Sequence, residues 1–162
     1  MTVITYKNGI LASDTLATNN SYDHSLKQQK IYIVKNEVYA FTGTVNRMNE
    51  YLDFIKGKIK ILTSWEKNDI EGICINLKTK KKYQFQICGN YVSKIEFIDD
   101  FVAFGWGRQY AKGAMEMGAD AITAIEVACK YTICQSPIYY IDINEEKPTI
   151  KLYKNDRYKR NY

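Results

Sequence analysis

The chain has 162 residues and a net charge of +5, with 46% apolar and 14% aromatic residues and fourteen tyrosines against two prolines. That composition excludes a disordered chain and suffices to bury one sizeable core without metals or disulfides. No run approaches the ~20 apolar residues that span a bilayer, and no basic segment leads into an apolar run at the start, so the expectation is a cytoplasmic protein with no membrane partner.

In chain order, Thr2 to Tyr6 and Ile10 to Ser13 are β-favourable runs on either side of Lys7-Asn8-Gly9, whose Asn-Gly pair supplies the positive φ of a tight hairpin turn. Lys30 to Val34 and Val38 to Thr42 repeat the pattern around Lys35-Asn36-Glu37. From Val45 onward, Val45, Met48, Leu52, Ile55 and Ile59 recur at helical spacing, with Gly57 weakening the later turns. "ICINL" and "YQFQIC" flank a lysine-rich turn as a third hairpin, and Phe101 to Phe104 forms a further strand.

After Gly107, the residues Tyr110, Ala111, Ala114 and Met115 mark a second helix closed by Gly118. Asp120 caps a third, with Ile122, Ile125, Val127, Ala128 and Tyr131 on its apolar face. Ile138 to Ile143 and Thr149 to Tyr153 return to strand. Antiparallel blocks with helices grouped between them make one α+β domain whose helices cover the outer faces of stacked sheets.

Most familiar reaction centres fail on composition. The single histidine, His24, lies in the polar loop "NNSYDHSLKQQ", so Ser-His-Asp or Cys-His catalysis would rest wholly on it. Cys74, Cys88, Cys129 and Cys134 have no CxxC spacing, and neither a zinc site nor a disulfide framework is suggested. "GWGRQYAKG" lacks both the P-loop ending and the G-x-G-x-x-G fingerprint. Basic charge gathers at Lys78 to Lys82 and in the tail "KLYKNDRYKRNY", which reads as a solvated turn and a frayed end, with nucleic-acid contact a minor alternative.

What remains is Thr2. Removal of Met1, which a small following side chain permits, exposes a hydroxyl and a free α-amine on one residue. An α-amine of pKa about 7.7 to 8 is matched to neutral pH and can act as that residue's own base. A nearby ammonium would lower the pKa of both groups, and a carboxylate would hold that ammonium in place. Asp14 ends the strand that pairs back on the Thr2 strand, and Lys30 opens the next hairpin.

"TVITYKNGILASDTLAT", "KIYIVKNEVYAFTGT" and "FVAFGWGRQYAKGAMEMGADAITAIEVACKY", in that order, resemble the proteasome β-subunit and HslV family of N-terminal-nucleophile hydrolases over most of the chain. The resemblance implies a four-layer αββα sandwich, a single domain over 1–162 with a basic tail from about 154, and a threonine peptidase needing no cofactor. Asp14 and Lys30 stand sixteen positions apart, as in the family. Thr2 and Asp14 are about four closer, a shortening that removes two residues from each hairpin arm and keeps side-chain parity.

The roles implied are Thr2 as nucleophile, Asp14 and Lys30 as the ion pair that tunes it, and the Gly43 N–H as oxyanion donor. Thr18, Phe41, Thr44 and Trp106 fall at substrate-binding positions, with Phe41 narrowing the first side-chain pocket. Trp106 replaces the serine of the family's G-S-G, while Tyr131 and Cys134 replace its accessory Asp and Ser or Thr. These departures leave open a catalytically impaired scaffold or inhibitory oligomer. The resemblance further implies peptide or unfolded-protein substrates, a homo-oligomeric ring, an ATP-dependent unfoldase as partner, and a bacterial or phage setting.

Overall fold

The computed structural model describes residues 2–18, 25–63, 70–134 and 136–154. Met1, His24 and residues 155–162 of the basic tail lie outside the described residues. Twelve strands and three helices are described: β1 (Val3–Lys7), β2 (Ile10–Ser13), β3 (Leu16–Thr18), β4 (Ser25–Lys27), β5 (Ile31–Val34), β6 (Glu37–Thr42), α1 (Val45–Ile55), β7 (Ile70–Asn76), β8 (Lys82–Cys88), β9 (Tyr91–Glu96), β10 (Phe101–Gly105), α2 (Arg108–Glu116), α3 (Ala121–Tyr131), β11 (Ile138–Asp142) and β12 (Lys151–Tyr153).

They build a first sheet in the order β10-β1-β2-β11-β12, a second in the order β5-β6-β7-β8-β9, and a β3-β4 ribbon, with antiparallel neighbours throughout. The first hairpin forms as its turn chemistry demands. Lys7 pairs with Ile10 across Asn8 at φ 51° and Gly9 at φ 87°, so both turn residues take the left-handed backbone that a tight antiparallel connection needs. In the second hairpin Val34 pairs with Glu37 and the turn falls on Lys35-Asn36, so β6 starts one residue earlier than expected.

Strand alternation sorts the side chains. On β1, Ile4 and Tyr6 join Leu11, Ile31, Val38, Ala40, Ile73 and Ile75 in a core between the two sheets. Val3 faces the opposite way, toward Ala111, Met115, Ala124, Ile125 and Ala128 of α2 and α3, and the Thr5 hydroxyl donates to Ala121 O at 2.8 Å. A third cluster packs Tyr39, Phe41 and Phe85 of the second sheet against Met48, Tyr51 and Leu52 of α1. Full burial of one such aliphatic or aromatic side chain contributes about 1.5–3 kcal/mol, so the first cluster holds the two sheets face to face and the other two seat the helices on them.

The expected four-layer αββα sandwich of the α+β class is corrected here. Strand dominates the described residues, in two five-stranded antiparallel sheets and a ribbon, and the helices are three and short, of 11, 9 and 11 residues. On the second sheet α1 stands alone among the described residues and forms no complete helical layer. One cause is local: α1 ends at Ile55 because Gly57 takes φ 78°, leaving Ile59 outside it. Another is that β3, β4 and β9 were not expected and add sheet in their place.

The third helix keeps part of its expected face, with Ile125 and Ala128 buried and Ile122 packed against the same cluster. Asp120 does cap it, accepting from Thr123 N at 2.7 Å, but its buried residues are Ala121, Ala124, Ile125 and Ala128. Val127 is half-buried and Tyr131 is exposed, stacked on Tyr110. No helix among the described residues is long and apolar enough to cross a membrane.

Candidate functional site

The site sits where the start of β1 meets the ends of β2, β6 and β10. Asp14 directly follows β2 and is fully buried. One carboxylate oxygen, Oδ1, accepts both the Val3 N–H and the Lys30 ammonium, each at 2.9 Å. The other, Oδ2, accepts the Leu16 N–H at 3.0 Å. Lys30, 2% exposed, also donates to Leu16 O at 2.7 Å. A carboxylate and an ammonium removed from water in this way persist only because each is paired and hydrogen-bonded.

Two donors sharing one oxygen stand at most twice 2.9 Å apart, so the Lys30 nitrogen lies beside the Thr2–Val3 peptide bond. Thr2 is 5% exposed. Its carbonyl accepts the Trp106 N–H at 2.9 Å, which ties the start of β1 to the end of β10. By strand parity its side chain lies on the same face as Ile4, toward the second sheet. The structure therefore gathers Thr2, Asp14 and Lys30 into one buried corner.

Gly105 makes that corner possible. It has φ +86°, and a Cβ there would come within 2.1 Å of Thr2 O and 3.3 Å of Thr42 Oγ1. Only a residue without a side chain lets β10 approach both β1 and β6 so closely. Thr42 at the end of β6 is thereby brought near Thr2, with Gly43 (φ 129°) and Thr44 following it into α1. Gly43 and Thr44 are exposed, and Thr44 occupies the N-cap position without a side-chain capping bond.

The other anticipated residues are less uniform. Phe41 donates its N–H to Lys30 O at 3.0 Å, but its ring is fully buried among Tyr39, Tyr51 and Phe85 in the α1 cluster. Thr18 is half-buried at the far end of β3, paired with Ser25. Trp106 presents its indole to solvent at 75% exposure, and only its backbone engages Thr2. Cys134 is buried and accepts from the Thr132 hydroxyl at 3.2 Å.

Two nearby groups escaped sequence reasoning. The Ser13 hydroxyl, next to Asp14, is buried without a hydrogen-bond partner among the described residues. The Cys129 thiol is pushed far above its ordinary range, first by its hydrogen bond with Cys134 and then by burial, and it feels the charges of Asp14 and Lys30. Neither follows from a motif. The positive-φ glycine ahead of Trp106, legible in "GWG", was the one available signal for the Gly105 approach.

No protein-family model matches the sequence, and no curated protein matches it. Among 113 matching chains of solved structures is Thiobacillus denitrificans BPH in complex with epoxomicin, with 16% identity and a TM-score of 0.53. The match covers 95% of this chain and 99% of that one. At that identity the likeness is one of fold.

Proposed function

We propose that this chain is a threonine-type hydrolase of the N-terminal-nucleophile class, cleaving peptide bonds with Thr2 once Met1 has been removed. The observation that carries the reading is the buried Asp14–Lys30 pair at the Thr2–Val3 peptide bond. The likeness to an epoxomicin-bound protein supports it at the level of the fold.

In the proposed reaction the Thr2 α-amine takes the proton of its own hydroxyl, directly or through one water, and the oxygen attacks the scissile carbonyl. Lys30 keeps the amine from being too basic, and Asp14 fixes Lys30 by charge and by the two backbone N–H groups it accepts. The Gly43 N–H, just ahead of α1, stabilises the oxyanion. The α-ammonium then gives that proton to the departing amine as the C–N bond breaks, leaving an acyl ester on Thr2, which water cleaves with the freed α-amine as base. The Phe41 ring, packed into the α1 cluster, takes no part in binding, while Thr18 and Thr44 engage the backbone of an extended substrate. A homo-oligomeric ring fed by an ATP-dependent unfoldase belongs to the same reading.

Intact mass spectrometry tests it. The purified chain should lack Met1 and should gain the mass of a peptide epoxyketone, a reagent that requires hydroxyl and amine on one residue. Thr2→Ala should gain nothing. A chain that keeps Met1, or that loses it and ignores the reagent, overturns the proposal.

A second reading, an impaired scaffold of the same class, is favoured by the exposed Trp106 indole and by Tyr131 stacked on Tyr110 at 5.2 Å. An indole cannot accept a proton, and a tyrosine turned to solvent supplies no accessory carboxylate. On this reading the chain loses Met1 or keeps it, but never reacts with the epoxyketone.

A further inference from the structure

Strand β10 is the open edge of the first sheet. Trp106 N bonds to Thr2 O and Asp14 N to Val3 O, so the even residues of β1 face β10 and the odd ones face β2. Val102 and Phe104, opposite Tyr6 and Ile4, therefore bond back to β1, whereas Phe101 and Ala103 point their N–H and C=O groups away from the sheet. Unpaired edge groups of this kind are a template for another strand.

The second sheet overhangs this edge. Tyr83, Phe85 and Ile87 face the α1 cluster, so Gln84, Gln86 and Cys88 of β8 and their β9 partners Ile95, Ser93 and Tyr91 lie on the face turned toward the first sheet. These residues are exposed, Tyr91 at 79% and Ile95 at 67%. The first sheet stops at β10 and leaves a groove of about 500 Å³ lined by β10, Gln84, Asp99, Asp100 and, from α2, Lys112 and Glu116. No ion pair engages Asp99, Asp100 or Glu116 among the described residues. The groove runs along the open edge of β10, and Asp99, Asp100 and Glu116 against Lys112 make it acidic on a chain of net charge +5.

We propose that residues Arg157–Arg160 of a second copy of this chain add to β10 as an extra strand. The sequence there, Arg157-Tyr158-Lys159-Arg160, supplies the complementary charge. In an extended conformation Tyr158 falls on one face and Arg157 and Lys159 on the other, so the ring meets Ile95 and the cations meet Glu116. The donor is another copy because of reach. The segment leaves the sheet from β12, at the opposite edge and four strand spacings, about 19 Å, from β10. From Tyr153 to Arg157 is four residues, at most about 14 Å of extended chain. The two surfaces differ, so the contact is head-to-tail. This interface stands independently of any chemistry at Thr2.

Sedimentation velocity of the full chain at low salt tests the interface. Wild type should self-associate. Reversal of the groove (Asp99→Lys with Asp100→Lys) or of the segment (Arg157→Glu, Lys159→Glu and Arg160→Glu) should weaken association about tenfold or more. A mixture of the two reversed proteins should associate again, because each then offers a surface complementary to the other. Ala103→Pro removes an N–H that points away from β1, so it should weaken association while leaving the internal ladder intact, which separates strand addition from charge attraction alone. A monomeric wild type, a groove reversal that sediments like wild type, or a mixture that stays dissociated overturns the proposal.

Discussion

Replacing Lys30 by Met removes one half of an ion pair whose members are 2% and 0% exposed and 2.9 Å apart. The Asp14 carboxylate is left with the Val3 and Leu16 N–H groups and no countercharge. Stranding a buried charge in this way costs about 3–5 kcal/mol, a large part of the ~5–15 kcal/mol total expected of a domain. With a urea slope of about 2 kcal/mol/M the unfolding midpoint should fall by roughly 2 M. Asp14→Asn strands the ammonium instead and turns an amide toward either the donors on Oδ1 or the Leu16 N–H. The double variant removes both charges, so the cycle should be non-additive by about 1–3 kcal/mol in the direction of rescue. Epoxyketone labelling of Thr2 should be lost in both single variants and should stay lost in the double, because restoring neutrality does not restore the cation beside the amine. Additivity within about 0.5 kcal/mol, with little loss in Lys30→Met alone, would refute the buried-pair reasoning.

Further outcomes follow from particular groups. Gly105→Ala places a Cβ 2.1 Å from Thr2 O at φ +86°, so Thr2 must shift; labelling by the epoxyketone should drop sharply while the far-UV circular dichroism spectrum is kept, and unchanged labelling would contradict the close approach. Burial pushes Cys74 up to about 11, leaving about a thousandth of it as thiolate at pH 8, and Cys129 lies higher still; iodoacetamide followed by peptide mapping should find exposed Cys88 modified well before either. Burial raises the Glu37 carboxyl, but hydrogen bonds from Tyr39 and Lys94 outweigh it and hold the group below 4.5. Its contribution is therefore present above 4.5 and lost as pH falls through the lower folded value, and Glu37→Gln should flatten that stretch of the stability-against-pH curve measured by urea unfolding.

Local chemistry made the hairpins legible. Asn8-Gly9 demands positive φ twice, Asp120 offers a capping oxygen, and Gly118 takes φ +100° after α2. Each of these signals resides in one or two residues and needs no partner. Strand β9 gave no such signal, because all six of its residues are exposed and no core imposes an alternation on Tyr91 to Glu96. The α3 face was legible only in Ile125 and Ala128, for the opposite reason. Val127 and Tyr131 fit a helical stripe by hydropathy, yet α3 packs so closely on α2 and β1 that Ala121, Ala124 and Ala128 fill the interface beside Ile125, and Tyr131 turns outward.

In the site, the hairpin register alone predicts that Asp14 lies beside the start of β1, since two strands joined by a two-residue turn keep their ends together. Lys30 could not be placed in that way. It belongs to the other sheet, and what brings it to Asp14 is the packing of the two sheets around Ile4, Leu11 and Ile31. The pair is thus a tertiary event, built at a cost that an apolar pair of the same volume would avoid. Stability alone gives the chain no reason to hold two charges there. A scaffold could keep them to satisfy the Val3 and Leu16 amides, but neutral acceptors would serve those amides as well. On the proposed reading the cation is kept for a neighbouring group that must lose a proton, which that reading takes to be Thr2.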